Sequence, residues 1–296
     1  MKLKTILITG ASGFTGEHIK LVAPSKGFQV IALRAKLNDI DALEKEVIAS
    51  NPDFVLHLAG VSFVASKDHE AFYRVHALGT GNLLKALTLL PARPKKILLA
   101  SSATVYGNSP NLFSLESQIL APIDHYAISK VAMEEMAKTY FERLPIVIAR
   151  PFNYTGVGQK ENFLIPKLIR HFAEQRPFID LGNLNIEREF NDVHTICSAY
   201  LNLLELGEPG EIYNVCTGQA RSLQFVLNNL SKLTGYCPEI RVNPNFVRTN
   251  EVIRMCGNPK KLQDLLSTKG ISLTIPPLNE TLAAMLVEAK NGSQKI

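Results

Sequence analysis

Tyr126 and Lys130 are four residues apart in the stretch DHYAISKVAME, residues 124–134, whose other residues are typical of a helix. Side chains at this spacing share one face of a helix, and a single pair of this kind is ordinarily a solvated surface feature. A tyrosine beside a lysine can also act as an acid or base, because a nearby cation favours the phenolate. Other motifs in the chain are needed to distinguish a surface pair from an acid–base pair.

A second candidate for chemistry is the segment LASSATVYG (99–107), which ends a predicted strand. Its hydroxyls, Ser101 and Ser102, either close a turn or face a ligand, since ligands of open parallel sheets bind beyond the carboxyl ends of the strands. If Ser102 meets Tyr126 and Lys130 there, the ammonium group should lower the phenol pKa from its usual value of about 10. The tyrosine would then exchange a proton near neutral pH.

The segment GASGFTG follows the first apolar run and opens a helical pattern, with Gly10, Gly13 and Gly16 spaced as G-x-x-G-x-x-G. Glycines at these points permit a tight turn and let the backbone approach a pyrophosphate at the helix N-terminus. The segment therefore predicts a dinucleotide-binding turn.

The end of the second predicted strand distinguishes between the two nicotinamide cofactors. An acid there binds the ribose 2′-hydroxyl, whereas an arginine can hold a 2′-phosphate. This chain has Arg34 at that point, Lys36 nearby and no acid until Asp39. An arginine on a surface can equally be solvated. We expect NADP(H) to be preferred, with NAD(H) as the alternative.

The elements that must position these residues are five apolar runs separated by helical patterns. The runs span residues 5–10, 29–33, 54–60, 96–102 and 146–150. Continuous apolar strands separated by helices indicate a parallel sheet covered on both faces. The predicted fold class is α/β, a doubly wound parallel Rossmann-type sheet with a smaller, mainly C-terminal substrate-binding region. The predicted domains are 1–151 for dinucleotide binding and 152–296 for substrate binding, with 187–215 returning to the first.

Composition argues against several functional classes. The 296 residues carry a net charge of +5 without a block of like charges, so nucleic-acid or membrane-surface binding has no support. No apolar stretch is long enough to cross a membrane. The four cysteines are widely spaced and no pair of the seven histidines has the spacing of metal ligands. We therefore expect a cytoplasmic protein with free thiols and no metal.

Taken together, the glycine-rich turn, SSATVYG (101–107), the Y-x-x-x-K at 126–130 and the segment RPFN resemble the extended short-chain dehydrogenase/reductase family, of the NAD-dependent epimerase/dehydratase type. Members of that family act on nucleotide sugars. Within it, residues 182–218 and the R-x-x-E of Arg248 and Glu251 are most similar to the GDP-4-keto-6-deoxy-D-mannose reductases.

The resemblance implies functional residues at matching positions. The catalytic residues would be Ser102, Tyr126 and Lys130. Cofactor binding would involve Gly10, Gly13, Phe14, Thr15, Gly16, Arg34, Leu58, Ala59, Tyr126 and Lys130. Substrate binding would involve Ser102, Asn153, Asn162, Arg188, Arg248 and Glu251. The chain departs from the family pattern in three places. His76 stands where relatives usually carry Asn, and His125 stands where Pro commonly precedes the tyrosine. The segment AKLND (35–39) lacks the acid usually found before the L-x-D that approaches the adenine.

The function that this resemblance implies is reduction by NAD(P)H of the C4 ketone of a GDP-4-keto-6-deoxyhexose, converting GDP-4-dehydro-6-deoxy-D-mannose to GDP-D-rhamnose. The alternatives are an NAD-dependent nucleotide-sugar 4-epimerase of the UDP-glucose/galactose type and a non-catalytic NAD(P)-sensing protein. Epimerases generally have the strand-end acid that Arg34 replaces, and sensors usually lose the Tyr–Lys pair. A dehydratase carries an acid near Thr104, where this chain has none.

We also expect a homodimer formed through helices, including the one that carries Tyr126. Over residues 126–143 this helix has apolar positions such as Val131, Met136 and Tyr140, more than one buried face requires. The resemblance implies the same, because these enzymes commonly pair through a four-helix bundle. A nucleotide sugar is the expected small-molecule partner.

Overall fold

The structure is a computed structural model, and it describes residues 3–62, 68–246 and 251–293. Its main sheet has six parallel strands in the order β10-β5-β4-β3-β1-β2. Their bounds are β1 Lys4–Thr9, β2 Phe28–Ala32, β3 Phe54–His57, β4 Lys96–Ala100, β5 Ile146–Pro151 and β10 Ile212–Val215. The predicted fold class is confirmed.

Helices cover both faces of this sheet. The ten α-helices in the described part of the chain are α1 Phe14–Val22, α2 Ile40–Ser50, α3 His69–Phe72, α4 Thr80–Leu87, α5 His125–Lys138, α6 Leu164–Ala173, α7 Val193–Leu206, α8 Leu223–Thr234, α9 Lys260–Ser267 and α10 Leu278–Ser293. Alternation along each strand sends side chains to opposite faces. Ile6 and Ile8 pack with α1, α7 and α9, whereas Leu7 packs with α2, α4 and α5.

The remaining strands form three small sheets after β5. Their bounds are β6 Tyr154–Thr155, β7 Phe178–Leu181, β8 Glu187–Glu189, β9 Asn191–Asp192, β11 Ala220–Ser222, β12 Glu239–Val242 and β13 Arg254–Met255. The pairings are β11-β8-β13, β12-β7 and β6-β9. A separate apolar core joins β7 to α6, α8 and α10. Much of the second half of the chain thus packs around a core of its own.

The chain returns to the main sheet through α7 and β10. The helix α7 packs on the same sheet face as α1, and β10 extends the sheet beside β5. The strands β8 and β9, which lie within the predicted returning segment 187–215, pair in the small sheets instead. The proposed domain boundary near residue 151 stays a prediction.

Helices α3 and α4 are joined by a π-helical segment, Tyr73–Gly79, that packs against α5. A π turn contains an extra residue relative to an α-helix and is often found at functional sites. His76 lies in this segment and is 1% exposed.

The helix α5 ends at Lys138, five residues before the predicted end. Two apolar positions that motivated the dimer prediction are occupied within the chain: Val131 packs near Phe152, and Tyr140 packs against the α4–α5 side of the sheet. The reason given for the dimer was therefore partly wrong. Exposed apolar side chains on these helices are instead Leu78 and Ile128.

Candidate active site

The glycine-rich turn brings backbone atoms so close together that side chains could not fit. Gly10 has φ +71°, and a Cβ there would lie 2.8 Å from the amide nitrogen of Ala59. A Cβ on Gly16 would lie 2.5 Å from the carbonyl oxygen of Gly10. Gly13 is the N-cap of α1, so the first amides of that helix are free to bind an anion. The turn therefore fits the pyrophosphate of a dinucleotide.

The neighbouring residues of the predicted cofactor site are held in place by hydrogen bonds. Thr9 is hydrogen-bonded to the residues that follow β3. Its carbonyl oxygen accepts from the Leu58 amide at 3.2 Å, and its hydroxyl oxygen accepts from the Ala59 amide at 3.0 Å. The Thr15 hydroxyl and the Tyr154 phenol lie 2.7 Å apart. Phe14 stacks on the Tyr154 ring, with centroids 6.1 Å apart.

The segment after β2 contacts an acid on α2 that the sequence pattern did not reveal. Arg34 is exposed, and its backbone amide donates to Glu46 Oε1 at 2.9 Å. The next amide, of Ala35, donates to Glu46 Oε2 at 2.7 Å. A carboxylate from α2 thus lies beside the predicted phosphate-binding arginine. The two backbone amides partly stabilise the charge of the Glu46 carboxylate. The Arg34 side chain is exposed at the surface.

Ser102 lies at the carboxyl end of β4, where it caps a short 3₁₀ helix, Ala103–Tyr106. Its hydroxyl oxygen accepts hydrogen bonds from the Thr104 hydroxyl at 2.9 Å and the Thr104 amide at 3.2 Å. Because both bonds are accepted, the Ser102 proton remains free to be donated. The Ser102 side chain is also a hydrogen-bond partner of the Tyr126 phenol, and this hydrogen bond lowers the pKa of the phenol.

Tyr126 lies in the first turn of α5, which begins after Asp124; the Asp124 carboxylate accepts from the Ala127 amide at 2.8 Å. Burial raises the pKa of Tyr126 to about 12, against the lowering effect of Ser102. The expected lowering of this pKa by Lys130 is therefore wrong. Desolvation of the phenolate outweighs the other effects, so the phenol stays protonated at neutral pH and is suited to donate a proton.

Lys130 is one turn further along α5 and is 6% exposed. Its ammonium donates to the carbonyl oxygen of Ala100 at 2.8 Å, at the end of β4. Burial lowers the pKa of Lys130 to about 8, while the Glu134 carboxylate raises it. A Cβ on Gly60 would lie 3.8 Å from the ammonium nitrogen, so the loop after β3 passes close to this charge.

Two buried histidines lie on the other side of Lys130. His57 ends β3, and its ring nitrogens lie 2.6 Å from the Thr9 hydroxyl and 2.8 Å from the Thr80 hydroxyl. Burial and then the Lys130 charge lower the pKa of His57 to about 3 and that of His76 to about 2. Both rings are therefore neutral hydrogen-bonding groups.

A buried ion pair fixes α5 behind the site. The Arg150 guanidinium, 2% exposed, donates to both carboxylate oxygens of Glu134, at 2.9 and 2.6 Å. Ser101 donates to the same carboxylate at 2.5 Å, and the Tyr106 phenol accepts from Arg150 at 3.0 Å. A buried pair is tolerated only when its remaining hydrogen-bonding capacity is satisfied, as here. The network ties α5 to β4 and β5.

The predicted substrate residues lie after β5. The side chains of Asn153 and Asn162 are exposed. The Arg188 guanidinium donates to the carbonyl oxygens of Val252 and Ile253. Arg248 lies outside the described residues.

Glu251, three residues beyond Arg248, is partly buried. Its Oε2 atom is buried without a hydrogen-bond partner among the described residues. A buried carboxylate oxygen ordinarily has a donor, so this atom fits a ligand hydroxyl. The position therefore suits the substrate-binding role that the resemblance implied.

Sequence reasoning overlooked Glu46 and Ser129, which the fold brings to the site. Nothing near Glu46 indicates its contact with the loop after β2, because twelve residues separate it from Arg34. Ser129 directly precedes Lys130, and this position next to a candidate catalytic residue is the signal that could have identified it. His76 departs from the family pattern, but the sequence does not indicate which residues it contacts.

The comparison with protein families identifies the chain. The NAD dependent epimerase/dehydratase family matches residues 6–216, which include the glycine turn and the Ser–Tyr–Lys set. The chain belongs to this family. The predicted enzyme class, an NAD(P)-dependent nucleotide-sugar enzyme, and the predicted nicotinamide cofactor are thereby confirmed. No helix in the described ranges is both long and apolar enough to span a membrane.

Two curated relatives are similar over most of this chain. GDP-6-deoxy-D-talose 4-dehydrogenase from Aggregatibacter actinomycetemcomitans is 33% identical, over 88% of this chain and 90% of the relative. GDP-6-deoxy-D-mannose reductase from Pseudomonas aeruginosa is 34% identical, over 89% of this chain and 91% of the relative.

Solved structures agree in fold. RMD from Pseudomonas aeruginosa, complexed with NADPH, has a TM-score of 0.88 at 30% identity and covers 98% of both chains. A candidate epimerase from Burkholderia cenocepacia J2315 has a TM-score of 0.91 at 39% identity, covering 98% of this chain and 100% of that one. Both matches cover nearly all of this chain.

Proposed function

We propose that this enzyme reduces the C4 ketone of GDP-4-dehydro-6-deoxy-D-mannose, giving GDP-D-rhamnose. The observation that carries the proposal is the pair of hydroxyl donors, Ser102 and Tyr126, which meet beyond the carboxyl end of β4. The glycine-rich turn follows β1 at the same edge of the parallel sheet. A ketone needs donors at its oxygen during reduction, because negative charge develops there. The names of the two curated relatives support a GDP-6-deoxyhexose as the substrate class.

Each group has a distinct role in this reaction. The nicotinamide dinucleotide, when bound, supplies the hydride that forms the new C–H bond at C4. Ser102 donates a hydrogen bond to the carbonyl oxygen, using the proton that its two contacts with Thr104 leave free. Tyr126 transfers its phenolic proton to that oxygen, which completes the alcohol. Lys130, buried and cationic at neutral pH, binds the cofactor ribose.

The substrate would be held after β5 by the side chains of Asn153, Asn162, Arg188, Arg248 and Glu251. Guanidinium groups suit a diphosphate because their donors match phosphate oxygens. Arg188 would need to exchange at least one of its carbonyl contacts for the phosphate. The buried Oε2 of Glu251, which has no hydrogen-bond partner among the described residues, would accept from a sugar hydroxyl.

NADPH is the proposed cofactor. Arg34 and Lys36 are exposed cations beyond the end of β2, where a 2′-phosphate would lie. The similar structure from Pseudomonas aeruginosa was solved with NADPH. The Glu46 carboxylate at the same loop acts against this preference, which keeps NADH as the alternative.

A second candidate product is GDP-6-deoxy-D-talose, favoured by the similarity to the talose dehydrogenase. The two products derive from the same ketone and differ only in configuration at C4. Which one forms depends on the face of the carbonyl presented to the cofactor, and hence on how the sugar is held.

The test is to incubate the purified protein with GDP-4-dehydro-6-deoxy-D-mannose and NADPH. Loss of nicotinamide absorbance with a rhamno-configured product, established by NMR coupling at C4, is the expected result. A talo-configured product would support the second candidate. Interconversion of UDP-glucose and UDP-galactose by the protein with NAD, without reduction of the ketone, would instead identify an epimerase. NADPH binding without turnover of either substrate would identify a sensor.

A further inference from the structure

The π-helical segment places His76 between the catalytic helix α5 and the loop that follows β3. Its Nε2 lies 3.0 Å from the amide nitrogen of Val61, and its Nδ1 lies 2.8 Å from the hydroxyl of Ser129. Ser129 is also bonded, at 2.7 Å, to the carbonyl oxygen of Tyr126. Both nitrogens of a buried ring are therefore occupied.

The direction of each hydrogen bond follows from the chemistry of Val61. A backbone amide only donates, so His76 Nε2 must carry a lone pair. The neutral ring then has its proton on Nδ1, which donates to Ser129. Ser129 in turn gives its own proton to the Tyr126 carbonyl. The result is one continuous chain from the Val61 amide through the imidazole to the backbone of the catalytic tyrosine.

His76 also contacts the reacting groups by packing. Its ring meets the Tyr126 ring edge to face, with centroids 5.4 Å apart. A Cβ on Gly60 would lie 3.0 Å from His76 Nε2 and 3.8 Å from the Lys130 ammonium. The imidazole thus touches both the phenol and the loop that passes beside the ammonium group.

We propose that His76 is a positioning residue for the reduction, and the inference rests on the function proposed above. By accepting from Val61 and donating through Ser129 to Tyr126, the ring holds the cofactor-side loop and the catalytic phenol in one relative geometry. An asparagine, which the family pattern favours here, also offers one donor and one acceptor. A histidine provides both on a rigid ring that additionally packs against Tyr126.

Three variants separate positioning from simple packing. His76→Phe keeps a ring but removes both hydrogen bonds, and His76→Asn keeps a donor and an acceptor. Ser129→Ala removes the hydroxyl that joins His76 to the Tyr126 carbonyl and leaves the bond from Val61 to His76 in place. His171→Phe, on α6, is the matched control because that histidine bonds to the Lys167 carbonyl away from the site. The measurements are kcat, KM for each substrate, NADPH affinity by fluorescence titration, melting temperature and hydrogen exchange of the Val61 amide.

We expect His76→Phe to lower kcat by about tenfold to a hundredfold, since small displacements of reacting groups have effects of that size. The same variant should weaken NADPH binding and expose the Val61 amide to exchange. His76→Asn should recover most of kcat and of the amide protection. Ser129→Ala should lower kcat while leaving Val61 protected, and adding it to His76→Phe should cause no further loss.

The inference is overturned if His76→Phe changes only the melting temperature, or if His76→Asn is no better than His76→Phe. If His76→Phe does not fold, the asparagine and Ser129→Ala variants decide, and wild-type kcat in Ser129→Ala would count against positioning. If the wild-type enzyme reduces no GDP-linked ketone, the proposed function fails, whereas NADPH affinity and Val61 exchange still report on His76 independently.

Discussion

At the scale of single residues, the Tyr126 phenol is the group on which the proposed chemistry depends. Tyr126→Phe keeps the ring in place and removes the acid, so we expect kcat to fall by about a hundredfold or more with the melting temperature almost unchanged. Ser102→Ala should cost a similar factor, because one donor to a developing oxyanion contributes about 3 kcal/mol. Initial-rate measurements with the keto sugar check both.

The control for these variants is Tyr236→Phe, which removes a phenol that donates to the Arg176 carbonyl at 3.0 Å, in another part of the molecule. It should leave kcat unaltered. A Tyr126→Phe enzyme that reduces the ketone at the wild-type rate would exclude the phenol as the proton donor.

Lys130 gives the free enzyme a sensitivity to alkaline pH. Because burial lowers its pKa to about 8, the ammonium loses its proton above that pH. NADPH affinity should then weaken by up to about tenfold per pH unit above pH 8, since binding requires the protonated form. Fluorescence titrations between pH 6 and 10 measure this effect.

Lys130→Met should bind NADPH weakly at every pH, without the alkaline change. Lys138→Met alters a lysine on the same helix that is ion-paired with Glu135 at the surface, and it should keep the wild-type pH profile. An NADPH affinity that is constant from pH 7 to pH 10 would show that the Lys130 charge is not needed.

At the scale of elements, the loop between β2 and α2 governs the choice of cofactor. Arg34→Asp should weaken NADPH binding more than NADH binding, because it replaces the cation expected at the 2′-phosphate with an acid. Glu46→Gln should act in the opposite direction, since it removes a negative charge within hydrogen-bonding distance of the same loop. Dissociation constants for both cofactors, measured on each variant, test this. Equal changes for NADPH and NADH would make Arg34 a solvated surface residue.

At the scale of the whole molecule, the two buried histidines should make stability depend on pH. The unfolded chain takes up a proton on each below about pH 6.5, whereas the folded pKa values are about 3 for His57 and about 2 for His76. Their contribution is therefore complete above pH 6.5 and is lost as the pH falls. Each histidine should lower the free energy of unfolding by about 1.4 kcal/mol per pH unit in that range.

Denaturant unfolding at pH 7, 6 and 5 measures this loss. The two histidines together cause part of the decrease in the free energy of unfolding as the pH falls. His76→Asn should halve that part, because only His57 then takes up a proton on unfolding. A free energy of unfolding that is the same at pH 6.5 and pH 5 would contradict the assignment of neutral buried rings.

The homodimer stays a prediction at this scale, now with different residues. Leu78 and Ile128 are 64% and 41% exposed on the π-helical segment and α5, which pack against each other. Burying these side chains against a second copy would complete a four-helix arrangement. Light scattering should show a dimer that Leu78→Glu with Ile128→Glu converts to a monomer, whereas Leu21→Glu, at a 76% exposed position on α1, should not. A wild-type monomer at micromolar concentration would refute the dimer.

Much of the fold and part of the site could be predicted from the sequence, because they depend on local backbone geometry. Each of the five main-sheet strands predicted before Arg150 begins and ends within about three residues of the predicted limits. The conformation of the glycine-rich turn depends only on residues that are close in the sequence. The same is true of the placement of Tyr126 and Lys130 on one face of a helix. The family motifs are also local, which is why Ser102, Tyr126 and Lys130 could be named together.

Other properties depend on segments that are distant in the sequence and were decided only by tertiary packing. Burial, which no local spacing reports, raises the Tyr126 pKa where the nearby lysine alone predicted a lowering. Glu46 reaches the end of β2, and Val61, His76 and Ser129 form one hydrogen-bonded chain, only because α2, the π-helical segment and α5 pack against the sheet. Spacing along the chain determines which side chains share a face, whereas solvent exclusion and the meeting of distant segments determine how those side chains behave.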